Sequence, residues 1–177
     1  MTRARPARRG GDRASGPADP VRAARDAALK LLASRDLSRV ELSAMLVQKK
    51  HSPEAAAAAV EELAALGLQS DGRVAEGHVR ARLSACARAR TLLELELERR
   101  GIEAPAAAAA LDALLEGRDE SRDALAIARE QVKTAPARMA PQSVLRRAFA
   151  SLIRRGYDEE TARQAVEAAG EEFLGRP

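Results

Sequence analysis

The chain has 177 residues, of which 2 % are aromatic and none is Trp. That poverty excludes a large β-sandwich or barrel, whose strands draw on aromatic and β-branched side chains. The formal net charge of +4 is uneven, since residues 1–25 hold seven Arg and two Asp and the remainder sums to −1. The wealth of Ala, Leu, Arg and Glu favours helices. The single cysteine, Cys86, cannot form an internal disulfide and fits a reducing compartment. No apolar run approaches the ~18 residues a bilayer span needs. Arg8-Arg9 is followed by Gly10, Gly11 and Asp12 rather than by an apolar stretch, so it does not read as a secretion signal. A soluble, cytoplasmic protein is expected.

Residues 1–19 are polar, rich in Arg, Gly and Pro, and without periodicity. Such a segment buries too little apolar area to offset the entropy of ordering it, so disorder is expected. It reads as a solubilising tail or as a nonspecific phosphate-binding arm. Pro20 suits a first helical turn. Ala24, Ala27, Ala28, Leu31 and Leu32 then recur at helical spacing up to Ser34–Asp36. Ser38 with Glu41 forms a capping box and opens the next helix, whose apolar face is read as Leu42, Met45, Leu46 and Val47. Ser52-Pro53 opens a third helix, which runs to Leu66 before Gly67. Val60, Leu63 and Leu66 are read as its buried face, and Ala55 to Ala59 permit close approach of a neighbour.

A second group starts near Asp71, with Val74, Val79 and Leu83 as anchors. The next helix spans Ala89 to Arg100. Leu93, Leu95 and Leu97 alternate with Glu there, a strand signal when taken alone, but the flanks are helical. Pro105 opens a helix through Leu111, Leu114 and Leu115, ended by Gly117. A third group begins near Asp119, with Ala124, Leu125, Ile127, Ala128 and Val132. Thr134 to Pro141 is the longest internal linker and is expected to let the third group swing. Helices from Gln142 to Arg155 and from Glu159 to about Phe173 follow.

The three groups share a register. Aligning His51, Ile102 and Tyr157 spaces them by 51 and 55 residues, and Leu46, Leu97 and Leu152 then coincide, as do Val60, Leu111 and Val166. A fixed period of this size marks a repeat architecture. The expected fold is all-α, with three tandem three-helix repeats stacked into an elongated, curved solenoid-like array. The divisions are a basic tail (1–19) and units at 20–68, 69–118 and 119–177. Units this small are expected to depend on stacking for their stability.

No constellation for catalysis is present. There is no phosphate-cradling G-x-x-x-x-G-K-[ST], no H-E-x-x-H and no G-x-S-x-G. His51, His78 and Cys86 are scattered, whereas metal ligands usually sit close in sequence. No enzyme activity, cofactor or metal is expected. Dibasic pairs end the second helix of each group: Lys49-Lys50, Arg99-Arg100 and Arg154-Arg155. Locally, cations favour the negative end of a helix dipole. Stacked, the pairs would also form a basic stripe, which Arg80, Arg82, Arg146 and Arg147 would extend.

In this register the chain resembles the bacterial RecX family, modulators of the RecA recombinase, over about residues 21–173. The carrying residues are Ala27 to Ala33, then Ser38-Arg39-Val40-Glu41-Leu42, then a basic turn. Leu63-Ala64-Ala65-Leu66-Gly67-Leu68 leads on through Asp71 to Arg82, and Arg154-Arg155-Gly156-Tyr157 is the third match. Val74 and His78 stand where the family has aromatic residues, and Lys50-His51 replaces its Gly-aromatic turn. The resemblance implies a monomeric, non-enzymatic regulator that binds the RecA filament on single-stranded DNA. There it would dampen ATP hydrolysis, strand exchange and co-protease activity. It implies no cofactor, no membrane and at most weak DNA contact of its own. The alternative is a direct helical nucleic-acid-binding protein. However, the third helices are mostly Ala and Glu, which suits a phosphate backbone poorly.

Overall fold

The computed structural model describes residues 19–174. Residues 1–18 and 175–177 lie outside the described residues, so the expectation of a disordered tail does too. Asp19 belongs to the fold instead. Its side chain accepts from the Val21 amide and caps the first helix, because that helix begins with a proline and leaves the next amide to be satisfied.

Among the described residues there are nine helices and no strand. They are α1 (Pro20–Leu32), α2 (Arg39–Gln48), α3 (Pro53–Ala65), α4 (Asp71–Ala85), α5 (Arg90–Arg99), α6 (Ala104–Leu115), α7 (Glu120–Lys133), α8 (Pro141–Arg154) and α9 (Glu159–Leu174). The caps follow the sequence. Ser38 and Glu41 form the capping box of α2, Ser52 caps α3 ahead of Pro53, and Ser70 caps α4. α5 is a helix despite its alternation. It buries Leu93 and Leu97 one turn apart and turns Leu95 outward, 40 % exposed.

Extensive helix–helix packing runs within each triplet: α1–α3, α4–α6 and α7–α9. Each triplet holds its own core. The first is built on Leu37, Leu42, Leu46, Val60 and Leu63, the second on Val79, Leu93, Leu97, Ile102 and Leu111, and the third on Ala128, Val144, Leu152 and Tyr157. The Ala-rich face of α3 does what its size allows. Ala55 and Ala59 meet Ala24 of α1 with almost no exposed surface.

Three expectations are corrected. Val47 and Leu66 are exposed rather than core residues. Val47 lies a helical step past Leu46, and Leu66 is already the cap of α3, so neither faces inward. The linker from Thr134 to Pro141 joins α7 to α8 inside one triplet. Ala135 and Met139 pack on that triplet's core, so the linker does not free the third unit. The stacked units meet through turns and helix ends, because each apolar face is already covered by the two helices of its own triplet. As its expected length implied, α8 is a turn longer at its start than its counterparts, with 14 residues against 10 in α2 and α5.

Candidate partner-binding surface

The turn after the second helix of each unit fixes where the dibasic pairs sit. In all three the backbone enters the left-handed region, at Lys50 (φ 73°), Gly101 (φ 70°) and Gly156 (φ 86°). The structural counterparts are therefore Lys49, Arg100 and Arg155, the cap residues of α2, α5 and α8. The pairs are thus one residue out of step. Lys50 occupies a glycine position, and Gln48 stands opposite Arg99 and Arg154.

The glycines serve the joints between units. A Cβ on Gly101 would lie 2.6 Å from the side chain of Val40, and one on Gly156 would overlap the Cβ of Leu92. Each turn therefore receives the start of the preceding unit's second helix against bare backbone. Cap carbonyls complete the joints. Ser38 Oγ donates to the Arg100 carbonyl at 2.6 Å, and the Ala89 amide donates to the Arg155 carbonyl at 3.0 Å. Thr91 Oγ1 donates to the Gly156 carbonyl at 2.7 Å. A second pair of contacts recurs at the repeat period. The Arg39 amide donates to Asp71 and its guanidinium to Glu61. The Arg90 amide donates to Glu120 and its guanidinium to Asp112.

Several predicted site residues are engaged within the chain. Arg100 donates through Nε and Nη2 to both oxygens of Glu41, at 2.9 and 2.8 Å, which locks the first unit to the second. The hydrogen bond from Arg100 holds the Glu41 carboxyl below its ordinary range. Arg80 pairs with Glu76 along α4. Arg82 donates to Glu96, which also receives Arg88 and lies 2.8 Å from His78 Nε2. Burial opposes ionisation of Glu96, but His78 and the two arginines outweigh it and keep that carboxyl low as well. Arg146 reaches Ser143 at 3.4 Å, and Arg155 is half-buried at its joint. Lys49, Lys50, Arg99, Arg147 and Arg154 are exposed and form no ion pair among the described residues.

The remaining candidates are structural. Tyr157 is 3 % exposed. Burial, together with the charges of Asp123 and Glu120, pushes its hydroxyl up to about 12. Cys86 is a half-buried free thiol capping α4. No group of three or more metal-ligating side chains occurs among the described residues, and none of their helices is long and apolar enough to cross a membrane. In the sequence Glu41 reads only as half of a capping box. The signal beyond that is charge pairs recurring at the repeat period, Arg39–Glu61 and Arg90–Asp112.

Known proteins resemble this chain in sequence and in fold. The family described as RecX, first three-helix domain, matches residues 24–63. A regulatory protein RecX of Chromohalobacter salexigens is 37 % identical over 147 residues, covering 83 % of this chain and 93 % of that protein. One of Streptomyces coelicolor is 33 % identical over 165 residues, covering 90 % of this chain and 87 % of that protein. The crystal structure of RecX from Lactobacillus salivarius superposes with a TM-score of 0.70 at 19 % identity, over 90 % of this chain and 99 % of that one. A further crystal structure of regulatory protein RecX gives 0.72 at 15 % identity, over 85 % and 74 %. Relatedness over nearly the whole length, joined to a shared three-unit fold, places this chain in the RecX family of regulatory proteins.

Proposed function

We propose that this protein is a non-enzymatic regulator that binds the RecA recombinase filament on single-stranded DNA. It slows ATP hydrolysis there and dampens strand exchange and co-protease activity. It works as a cytoplasmic monomer with at most weak DNA contact of its own. Membership of the RecX family, over more than four-fifths of the chain, carries this reading. Three units divided at 68/69 and 118/119 give a surface long enough to meet several protomers of a repeating partner. Among the described residues, the predicted cations Lys49, Lys50, Arg99, Arg146, Arg147 and Arg154 are exposed without an acidic partner, which suits acidic or phosphate-bearing surfaces. Arg80 and Arg82 contribute less, being neutralised by Glu76 and Glu96.

The test is RecA's DNA-dependent ATPase rate and filament lifetime at saturating protein. Both should change, and a flat response overturns the proposal. Charge reversal at Arg99 and Arg154 together should weaken filament binding most at low salt, since rim charges act mainly on association. Arg100 is left out of that variant because its reversal would break the joint to Glu41. Equal activity of the double reversal would remove the basic surface from the mechanism. Binding to bare single-stranded DNA strong enough to account for the whole effect would favour direct nucleic-acid binding instead.

A further inference from the structure

In the middle unit, α5 and the start of α6 leave a groove of about 730 Å³. Its floor is Leu95, Ile102, Ala107 and Ala108, and Glu94 and Glu98 stand along the α5 edge. The repeat register sets this groove against the same place in the third unit. In the third unit Tyr157 takes the place of Ile102, and Arg163 takes the place of Ala108. Arg163 is held there by Glu160 and Glu167. The middle unit thus has Ala108 where the third carries a long arginine, and Leu95 where the third has Ala150. Glu94 is paired with Arg90, while Glu98 has no ion pair among the described residues. Glu94 and Glu98 lie one helical turn apart with Leu95 beside them, so an acidic edge runs along the apolar floor.

We propose that this groove docks an amphipathic helix of a protein partner, with Leu or Ile on the floor and Lys or Arg beside Glu94 and Glu98. An apolar anchor in a pocket supplies the affinity and the charged rim supplies orientation. The chain's own residues 1–18 fit less well. They hold five Arg and one Asp but no Leu, Ile, Val or Phe, so they match the rim and not the floor. The groove selects cations, whereas the exposed basic residues select anions, so the two surfaces engage different parts of a partner. The groove rests on the regulatory reading above only for the identity of that partner.

The probe is a fluorescent helical peptide with Leu at i and i+4 flanked by Lys, set against the same peptide with Glu for Lys. Both are titrated onto the full chain by anisotropy. Ala108→Arg installs the residue that the third unit carries at this register, and circular dichroism checks that helicity is kept. Glu98→Lys is a second, milder variant. The basic peptide should bind, the acidic one should bind about tenfold more weakly, and Ala108→Arg should cost the basic peptide about tenfold. Glu98→Lys should narrow the difference between the peptides. No binding, equal affinity for the two peptides, or binding unchanged in both variants overturns the groove. A gain in peptide affinity on removing residues 1–18, or a dimer broken by Ala108→Arg, assigns the groove to the tail or to a second copy and also overturns the proposal. If the peptide behaves as expected but the wild type ignores RecA filaments, the groove stands and the RecA reading falls.

Discussion

At Lys50 the backbone takes φ 73°, a geometry that costs a residue with a Cβ about 1–2 kcal/mol. Lys50→Gly should therefore stabilise the protein by about 0.5–1 kcal/mol, glycine's greater freedom when unfolded offsetting part of the relief. Thermal unfolding would read this as a rise of about 2–3 °C. Gly156→Ala should act in the opposite sense and more strongly. The new Cβ would overlap Leu92 as well as strain the turn, at a cost of about 2 kcal/mol or more. Glu41 adds a pH dependence. Its carboxyl is held below the ordinary 4.5 in the folded chain. The stabilisation is therefore complete above that value and is lost as the pH falls through the lowered one. Urea titrations from neutral to acid pH should show this loss, and Glu41→Gln should flatten it.

At the scale of the helix, α5 separates two readings of the same letters. A strand would put Leu93, Leu95 and Leu97 on one face, whereas the helix buries the first and last and exposes the middle one. Leu93→Ala should cost about 2–5 kcal/mol through the cavity it leaves. Leu95→Ala should stay within about 0.5 kcal/mol. Denaturant midpoints of the two variants decide it. Helix starts were legible because their signals are local: Ser38 with Glu41, Ser52 with Pro53, and Gly101 and Gly156 at the turns. Faces were less so at helix ends, where Leu66 already belongs to the cap. The candidate surface was only half legible. Exposed cations can be guessed from composition, but Arg100 finds Glu41 across 59 residues, and no local pattern announces that. The groove at Leu95 was not legible either, since it depends on side chains of two helices, Leu95 of α5 and Ala107 and Ala108 of α6, lining one space.

For the whole molecule, three cores joined at turns, with only Ala89 of the middle unit reaching into the third, mean that damage should stay largely local. Leu152→Ala should speed amide exchange in α7–α9 and leave α1–α3 near wild type, as expected when stability is a sum of unit and neighbour terms. Equal acceleration in all nine helices would mean a single cooperative block. The joints also set how many units the array can have. Each joint needs bare backbone on the turn and a free start on the preceding unit's second helix. At the first turn Lys50 supplies a Cβ where a preceding unit would have to land, and at the far end the extra turn of α8 overhangs the spot that a following unit's turn would take. Copying a unit onto either end should therefore give a weaker joint than those at Gly101 and Gly156, and Lys50→Gly on one side or a shorter α8 on the other should improve it, which thermal unfolding of the lengthened chain would show.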